Sequence, residues 1–194
     1  MSEIEQVRLD MGGFEVNAYV VHAPGGDLIV DAGAEPEKIL ASITRPVAAI
    51  LITHGHADHV GALDAIRGET NAPVYAHPAD AEGAGIVDYE PLGDGEDLVM
   101  AGETLHVLHT PGHSPGSTSL YAPSLNAVFT GDTLFAGGPG ATGRSYSDFA
   151  TIIDSISKRL LVLPGETVVH PGHGDTTTIA AEAPYLAEWI ARGS

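Results

Sequence analysis

The chain contains no cysteine in its 194 residues. That removes disulfides, thiolate metal sites and a cysteine nucleophile from consideration. Basic side chains are almost as scarce: eight Lys and Arg stand against 26 Asp and Glu, for a net charge of −18. Such a charge repels phosphate backbones, so no nucleic-acid partner is expected. It also repels small acidic substrates at long range, so an anionic ligand needs a local basic anchor. No apolar run approaches the roughly 20 residues of a membrane span, and no membrane partner is expected. The opening residues, MSEIEQVRLDMGG, carry neither a basic flank nor an apolar stretch and do not read as a signal peptide. The expected setting is cytoplasmic and the expected partner a small-molecule substrate. The sequence carries no signal for an oligomeric state.

What is present is an alternation of short apolar runs with Gly, Pro and Asp turns. Strands are predicted over 16–22, 28–31, 48–53, 74–76, 104–109, 117–121, 127–130 and 167–170. Helices are predicted over 37–43, 57–67, 147–161 and 184–192. The third is the clearest, because Phe149, Ile152, Ile153, Ile156 and Leu160 fall on one helical face. Pro184 interrupts the last apolar stretch and is expected to open the final helix. Strands alternating with helices indicate an α/β domain. Gly93-Asp94-Gly95 and Gly102 bracket a boundary between two halves. The glycine-rich stretch 135–147 is the longest irregular one and reads as a functional loop.

The motif Thr53-His54-Gly55-His56-Ala57-Asp58-His59 directly follows an apolar strand. Four potential ligands in six residues cannot all point into a core. Alternate spacing puts His54 and His56 on one side of an extended segment, while Asp58 and His59 fall where the chain turns into a helix and face a second point nearby. Neutral imidazoles and a carboxylate suit Zn, Fe or Mn. His113 in Thr-Pro-Gly-His, Asp132 in Thr-Gly-Asp-Thr and His173 in Pro-Gly-His-Gly each follow a predicted strand and adjoin a glycine. That is where α/β proteins gather site residues. His22, His77, His106, His109 and His170 sit in strands or beside proline and read as ordinary core or surface histidines. His170 is also placed to support a ligand from behind.

The segments THGHADHVGA, TPGHSPGS, TGDTLF and HPGHG closely resemble the metallo-β-lactamase superfamily, across nearly the whole chain. Their spacing, with a His after the motif Asp, resembles its glyoxalase II (hydroxyacylglutathione hydrolase) branch. The resemblance implies a four-layer αββα sandwich with two divalent metal ions, zinc first and iron or manganese next, at one edge of the sheets. It implies that His54, His56 and His113 hold the first metal, that Asp58, His59 and His173 hold the second, and that Asp132 bridges them. Asp58 and Asp132 are assigned the catalytic role as well. Asp31, in Ile-Val-Asp-Ala-Gly, matches the family's supporting acid and is weighed evenly against a turn-forming Asp. The chain is read as one such domain over 1–194. It ends about twenty residues after His173, without room for the C-terminal helical domain of glyoxalase II.

Two metals sharing a water imply a metal-bridging hydroxide that attacks a carbonyl. A thiolate leaves without a proton, whereas an alkoxide needs a general acid. No clear acid stands beside the metal motifs, which favours an acyl thioester of a small thiol carrier. Ser114 reads as turn chemistry rather than as a nucleophile. Gly143-Arg144-Ser145-Tyr146 resembles the glyoxalase II segment whose basic residue and Tyr bind the carrier's carboxylate, although the basic residue here is Arg and the loop is longer. Arg144 and Tyr146 are therefore the expected substrate-binding residues. The rival readings are a mononuclear iron persulfide dioxygenase, which shares the His-x-His-x-Asp-His motif, and a lactone hydrolase. An exported β-lactamase with a cysteine ligand and a basic-surfaced nuclease fit the composition less well.

Overall fold

The computed structural model describes residues 2–193. The first half forms one six-stranded sheet from β1 (Glu3–Asp10), β2 (Glu15–Ala23), β3 (Gly26–Val30), β4 (Val47–Leu51), β5 (Val74–Ala76) and β6 (Tyr89–Pro91), in that order. It is antiparallel up to β3 and parallel beyond it. The parallel strands are linked through α1 (Pro36–Ser42), α2 (Ala57–Val60), α3 (Leu63–Thr70) and α4 (Pro78–Ala81). The second half contributes β7 (Asp97–Met100), β8 (Glu103–His109), β9 (Thr118–Ala122) and β10 (Ala127–Gly131). A small hairpin of β11 (Leu134–Phe135) and β12 (Gly138–Pro139) and the helix α5 (Phe149–Ser155) follow, then β13 (Val168–Pro171), β14 (Thr177–Thr178), α6 (Ile179–Glu182) and α7 (Leu186–Arg192). The second sheet has the order β14-β13-β10-β9-β8-β7.

Side-chain alternation in the strands divides the apolar residues among three buried layers. In β2, Val16, Ala18 and Val20 pack toward α1 and α3, while Tyr19 and Val21 pack the other way, against the second sheet. In β3 and β4, Ile29 and Ile50 join the outer layer, and Leu28, Val30, Ala49 and Leu51 meet Leu105, Val107, Leu120 and Phe129 between the sheets. Val128 and Val169 face outward from the second sheet onto Ile152, Ile156, Leu160 and Trp189. Strands apolar on both faces need cover on both faces, and the result is the four-layer αββα sandwich. Each fully buried Leu, Ile or Val contributes roughly 1.5–3 kcal/mol relative to exposure.

Every predicted strand is present, with bounds shifted by a residue or two. Six more, β1, β6, β7, β11, β12 and β14, escape the pattern because they are edge strands or short: only Val7 and Leu9 of β1 are buried, between polar neighbours. Gly93-Asp94-Gly95 does separate the two sheets, whereas Gly102 turns the β7–β8 hairpin inside the second half.

The predicted helix 57–67 is in fact two. The segment after β3 takes over its backbone bonding, with Ala32 N donating to His59 O and Ala62 N donating to Ala32 O, both at 2.8 Å. The predicted helix 147–161 begins at Phe149 behind the cap of Asp148, and its last turn, Ile156–Leu160, widens to a π-helix. The final helical stretch starts at Ile179, not at Pro184. The proline sits in the 3-10 turn Ala183–Tyr185, near its start, where the missing N–H costs least. The loop 135–147 carries the β11–β12 hairpin at its beginning. Among the described residues no helix is long and apolar enough to cross a membrane.

Candidate metal centre

The C-terminal ends of β3, β4, β8, β10 and β13 lie along one edge of the paired sheets, and each delivers part of the site. Asp31 leaves β3; His54 follows β4; His56 caps α2, which carries Asp58 and His59. His113 follows β8, Asp132 follows β10, and His173 follows β13. All seven ligands expected from the sequence meet there. His54 Nε2 lies 3.0 Å from His56 Nδ1, and His113 Nε2 lies 2.9 Å from the same atom. Nitrogens bound to one tetrahedral zinc stand roughly 3.3 Å apart, given bonds of about 2.0–2.1 Å. His173 Nε2 lies 3.3 Å from Asp58 Oδ2, and His59 Nε2 lies 4.0 Å from it. Between the groups sits Asp132: its Oδ2 is 3.5 Å from both His113 Nε2 and His173 Nε2, and its Oδ1 is 3.3 Å from His59 Nε2.

The donors fit a pair of divalent cations. Three overlapping sets, His54–His56–His113, His54–His59–Asp132 and Asp58–His59–His173, each bring one donor atom per residue to within 4.8 Å of the others. His59 Nε2 and Asp132 Oδ1 are buried without any hydrogen-bond partner. Orphaned buried polar atoms are costly, and a cation between them satisfies both. Gly172 makes the approach possible, because a Cβ there would lie 2.2 Å from Asp132 Oδ1 and 2.5 Å from His59 Cε1.

Behind the donors, each imidazole has its other nitrogen engaged. His59 Nδ1 donates to Asp31 Oδ2 at 2.8 Å, His113 Nδ1 to Ala141 O at 2.8 Å and His173 Nδ1 to Glu15 O at 2.6 Å. His54 Nδ1 lies 3.2 Å from Thr53 Oγ1, which itself donates to Asp31 Oδ2 at 2.7 Å. These bonds leave Nε2 of the four rings as the lone-pair donor facing the site. His56 is turned the other way: its Nε2 meets the Tyr146 hydroxyl at 2.7 Å and its Nδ1 faces inward.

The electrostatics favour a cation. Burial holds His54 well below the usual imidazole range, and burial, His113 and Arg144 together lower His56. Burial also opposes charge on His59, but Asp31 and Asp132 outweigh it and raise the ring to about 10. At His173 burial is again overcome, here by Asp132 and Asp58, and the ring rises to about 10. Burial of Asp132 is outweighed by His173 and His59, which hold its carboxyl well below the ordinary value; His173 likewise lowers Asp58. The carboxylates that retain these protons would equally retain a metal, so metal and proton compete for the same donors.

Asp31 supports ligands rather than merely turning the chain. It accepts from Thr53 N at 2.8 Å as well as from Thr53 Oγ1 and His59. Two residues escaped the sequence reading. Thr53 links His54 to Asp31. Asp80, on α4, accepts from Gly55 N at 3.0 Å, Ser114 Oγ at 2.5 Å and Gly116 N at 2.6 Å, and so ties the loop of His54 and His56 to the loop of His113. An acid in the first turn of a short helix looks like a helix-dipole partner, and nothing in the sequence shows that its neighbours are two other loops. Ser114 serves this turn, as expected. Arg144 is exposed, and among the described residues it forms no ion pair, unlike six of the other seven basic side chains. Tyr146 is also exposed, with its hydroxyl already engaged by His56.

Known proteins share this architecture. A profile of the metallo-beta-lactamase superfamily matches residues 11–173. The probable metallo-hydrolase YqgX of Bacillus subtilis (strain 168) is 39% identical over 197 residues, spanning 90% of this chain and 92% of YqgX. The hydroxyacylglutathione hydrolase GloC of Haemophilus influenzae is 31% identical over 175 residues, spanning 79% and 82%. Among solved structures, the B3 metallo-beta-lactamase BLEG-1 matches with a TM-score of 0.86 at 32% identity, over 96% of this chain and 99% of its own. TTHA1623 in a di-iron-bound form matches with a TM-score of 0.79 at 40% identity, over 91% and 96%. With the fold, the donor set and these likenesses in agreement, the chain belongs to the metallo-beta-lactamase superfamily, whose members bind divalent metals.

Proposed function

We propose that the protein is a two-metal hydrolase of acyl thioesters carried on a small thiol. The reading rests on one observation: the outer nitrogen of every imidazole in the cluster is committed to a neighbour, so no histidine is free to protonate a leaving group. A thiolate departs without a proton, because thiol pKa values lie near 8.5. When bound, two divalent cations supply a water that ionises near neutral pH and positive charge for the developing oxyanion. The chain's own part is to fix the donors. Asp31 and Thr53 set the tautomers of His59 and His54, and Asp132 spans both groups. Arg144, without an acidic partner among the described residues and close enough to lower His56, is placed to grip a carboxylate on the carrier. The likeness to a hydroxyacylglutathione hydrolase supports the same substrate class.

A second reading has its own observation. The Tyr146 hydroxyl, 2.7 Å from His56 Nε2, is a proton donor at the edge of the cluster. It could protonate an alkoxide, as lactone hydrolysis requires. Thioester, oxygen ester and lactone with one acyl group, assayed with wild type and Tyr146→Phe, separate the two. The thioester should be the fastest substrate and lose the least in the variant. A lactone preference that collapses 10²–10⁴-fold in Tyr146→Phe would transfer the assignment to lactone hydrolysis. The complete set of seven donors favours two metals over a single iron; one iron per chain with oxygen uptake would support persulfide oxidation instead.

A further inference from the structure

A cleft of about 260 Å³ is lined in part by His56 and so adjoins the candidate metal cluster there. Its lining includes His56 and Tyr146, hydrogen-bonded to each other, and Ala79, Gly83, Ala84 and Pro115, all small and apolar. Its one charged group is the Asp80 carboxylate, which already accepts three hydrogen bonds. Among the described residues no lysine or arginine lines it. An anion would therefore meet a like charge and no lysine or arginine there, while the guanidinium of Arg144 lies outside the lining. The two halves of a thioester differ in this respect: the carrier bears the charge, and a short acyl group bears none. At roughly 30 Å³ for each water-sized group, the cleft has room for about eight such groups.

We propose that this cleft receives the acyl group of the substrate, and that Gly83 and Ala79 set the length of acyl chain accepted. The inference rests on the thioesterase reading and adds the side of the site on which each half of the substrate lies. Gly83 is the sensitive point. Its backbone is not left-handed, and a Cβ there would meet only Asp80 O, at an ordinary 3.8 Å. A larger side chain can therefore be introduced without strain and would occupy the cleft. Gly55 offers no such freedom, because a Cβ there would press on Asp80 O at 2.9 Å and on Ala84 Cβ at 3.1 Å.

The test uses acetyl, butanoyl and hexanoyl thioesters of two thiols, one with a carboxylate and one without, on wild type, Gly83→Val and Ala79→Leu. Metal content is measured for each. Affinity for ketone analogues, in which a methylene replaces the sulfur, is measured by calorimetry. Both variants should lower kcat/KM for the hexanoyl ester at least tenfold more than for the acetyl ester, equally for both thiols, at unchanged metal content. The hexanoyl ketone should weaken in parallel. Losses independent of acyl length, or losses that follow the thiol, would overturn the assignment. If wild type turns over no thioester, the thioesterase reading fails separately, and the acyl-length dependence of ketone binding still decides whether the cleft holds the acyl group.

Discussion

The carboxylate of Asp31 offers no atom to the candidate metals, yet it fixes the tautomers of two histidines, one directly and one through Thr53. Its backbone is left-handed, at φ 62°, a conformation that asparagine tolerates. Asp31→Asn should therefore preserve the fold while weakening the hold on His59. Metal titration should show affinity at one site falling about 10- to 100-fold. Unchanged affinity would mean that the bond is incidental. His170 behaves differently. It packs between Tyr19 and Phe129 with its Nδ1 buried and unpartnered, and burial lowers it to about 4. Between pH 6.5 and 4 the unfolded chain binds a proton here that the native state refuses. Stability is thus full above pH 6.5 and is lost as pH falls toward 4, by up to about 3 kcal/mol. In metal-free protein, denaturant midpoints between pH 4.5 and 7 should fall more steeply for wild type than for His170→Gln. Parallel slopes would rule out this contribution.

At the scale of elements, the site is an edge where strands stop, and small residues decide how closely the loops approach. Gly172 and Gly174 flank His173 and make opposite demands. Gly174 is left-handed with open space around it, so Gly174→Ala should cost only backbone strain, about 1–2 kcal/mol, and keep its metal. At Gly172 the added methyl would overlap Asp132 and His59. Gly172→Ala should lose most bound metal by elemental analysis, and activity with it. Equal metal retention in the two variants would show that the β13 loop moves aside.

Across the whole molecule, the donors come from both sheets: His54, His56, Asp58 and His59 from the first, and His113, Asp132 and His173 from the second. Cations bound there would clamp the two halves across the central apolar layer. A site filled at a thousand times its Kd adds about 4 kcal/mol. In a chain of this size that amounts to roughly 8–16 °C in Tm. Scanning calorimetry with and without a chelator should show a shift of that order. A Tm indifferent to chelation would leave the cluster without a structural role.

Much of this was legible in the chain itself. The short apolar runs of β2, β3, β4 and β8 are local facts, and so is the placement of His54, His56, His113, Asp132 and His173 just beyond strands, next to glycines. Local pattern suffices there because a strand buried on both faces must be apolar, and a loop must use the residues it contains. It fails for β1, whose charged face hides an edge strand. It fails again at 57–67, where backbone bonds from the segment after β3 break one helix into two. The roles of Thr53 and Asp80 were out of reach for the same reason. A side chain's hydrogen-bond partners lie tens of residues away, Gly55 and Gly116 in the case of Asp80, and only the packing of the two sheets brings them together. The sequence by itself determined which residues could hold metal and which strands form the core. The tertiary structure alone decided which nitrogen of each imidazole faces the site and that a cleft opens beside His56, because both depend on groups that become neighbours only when the sheets close.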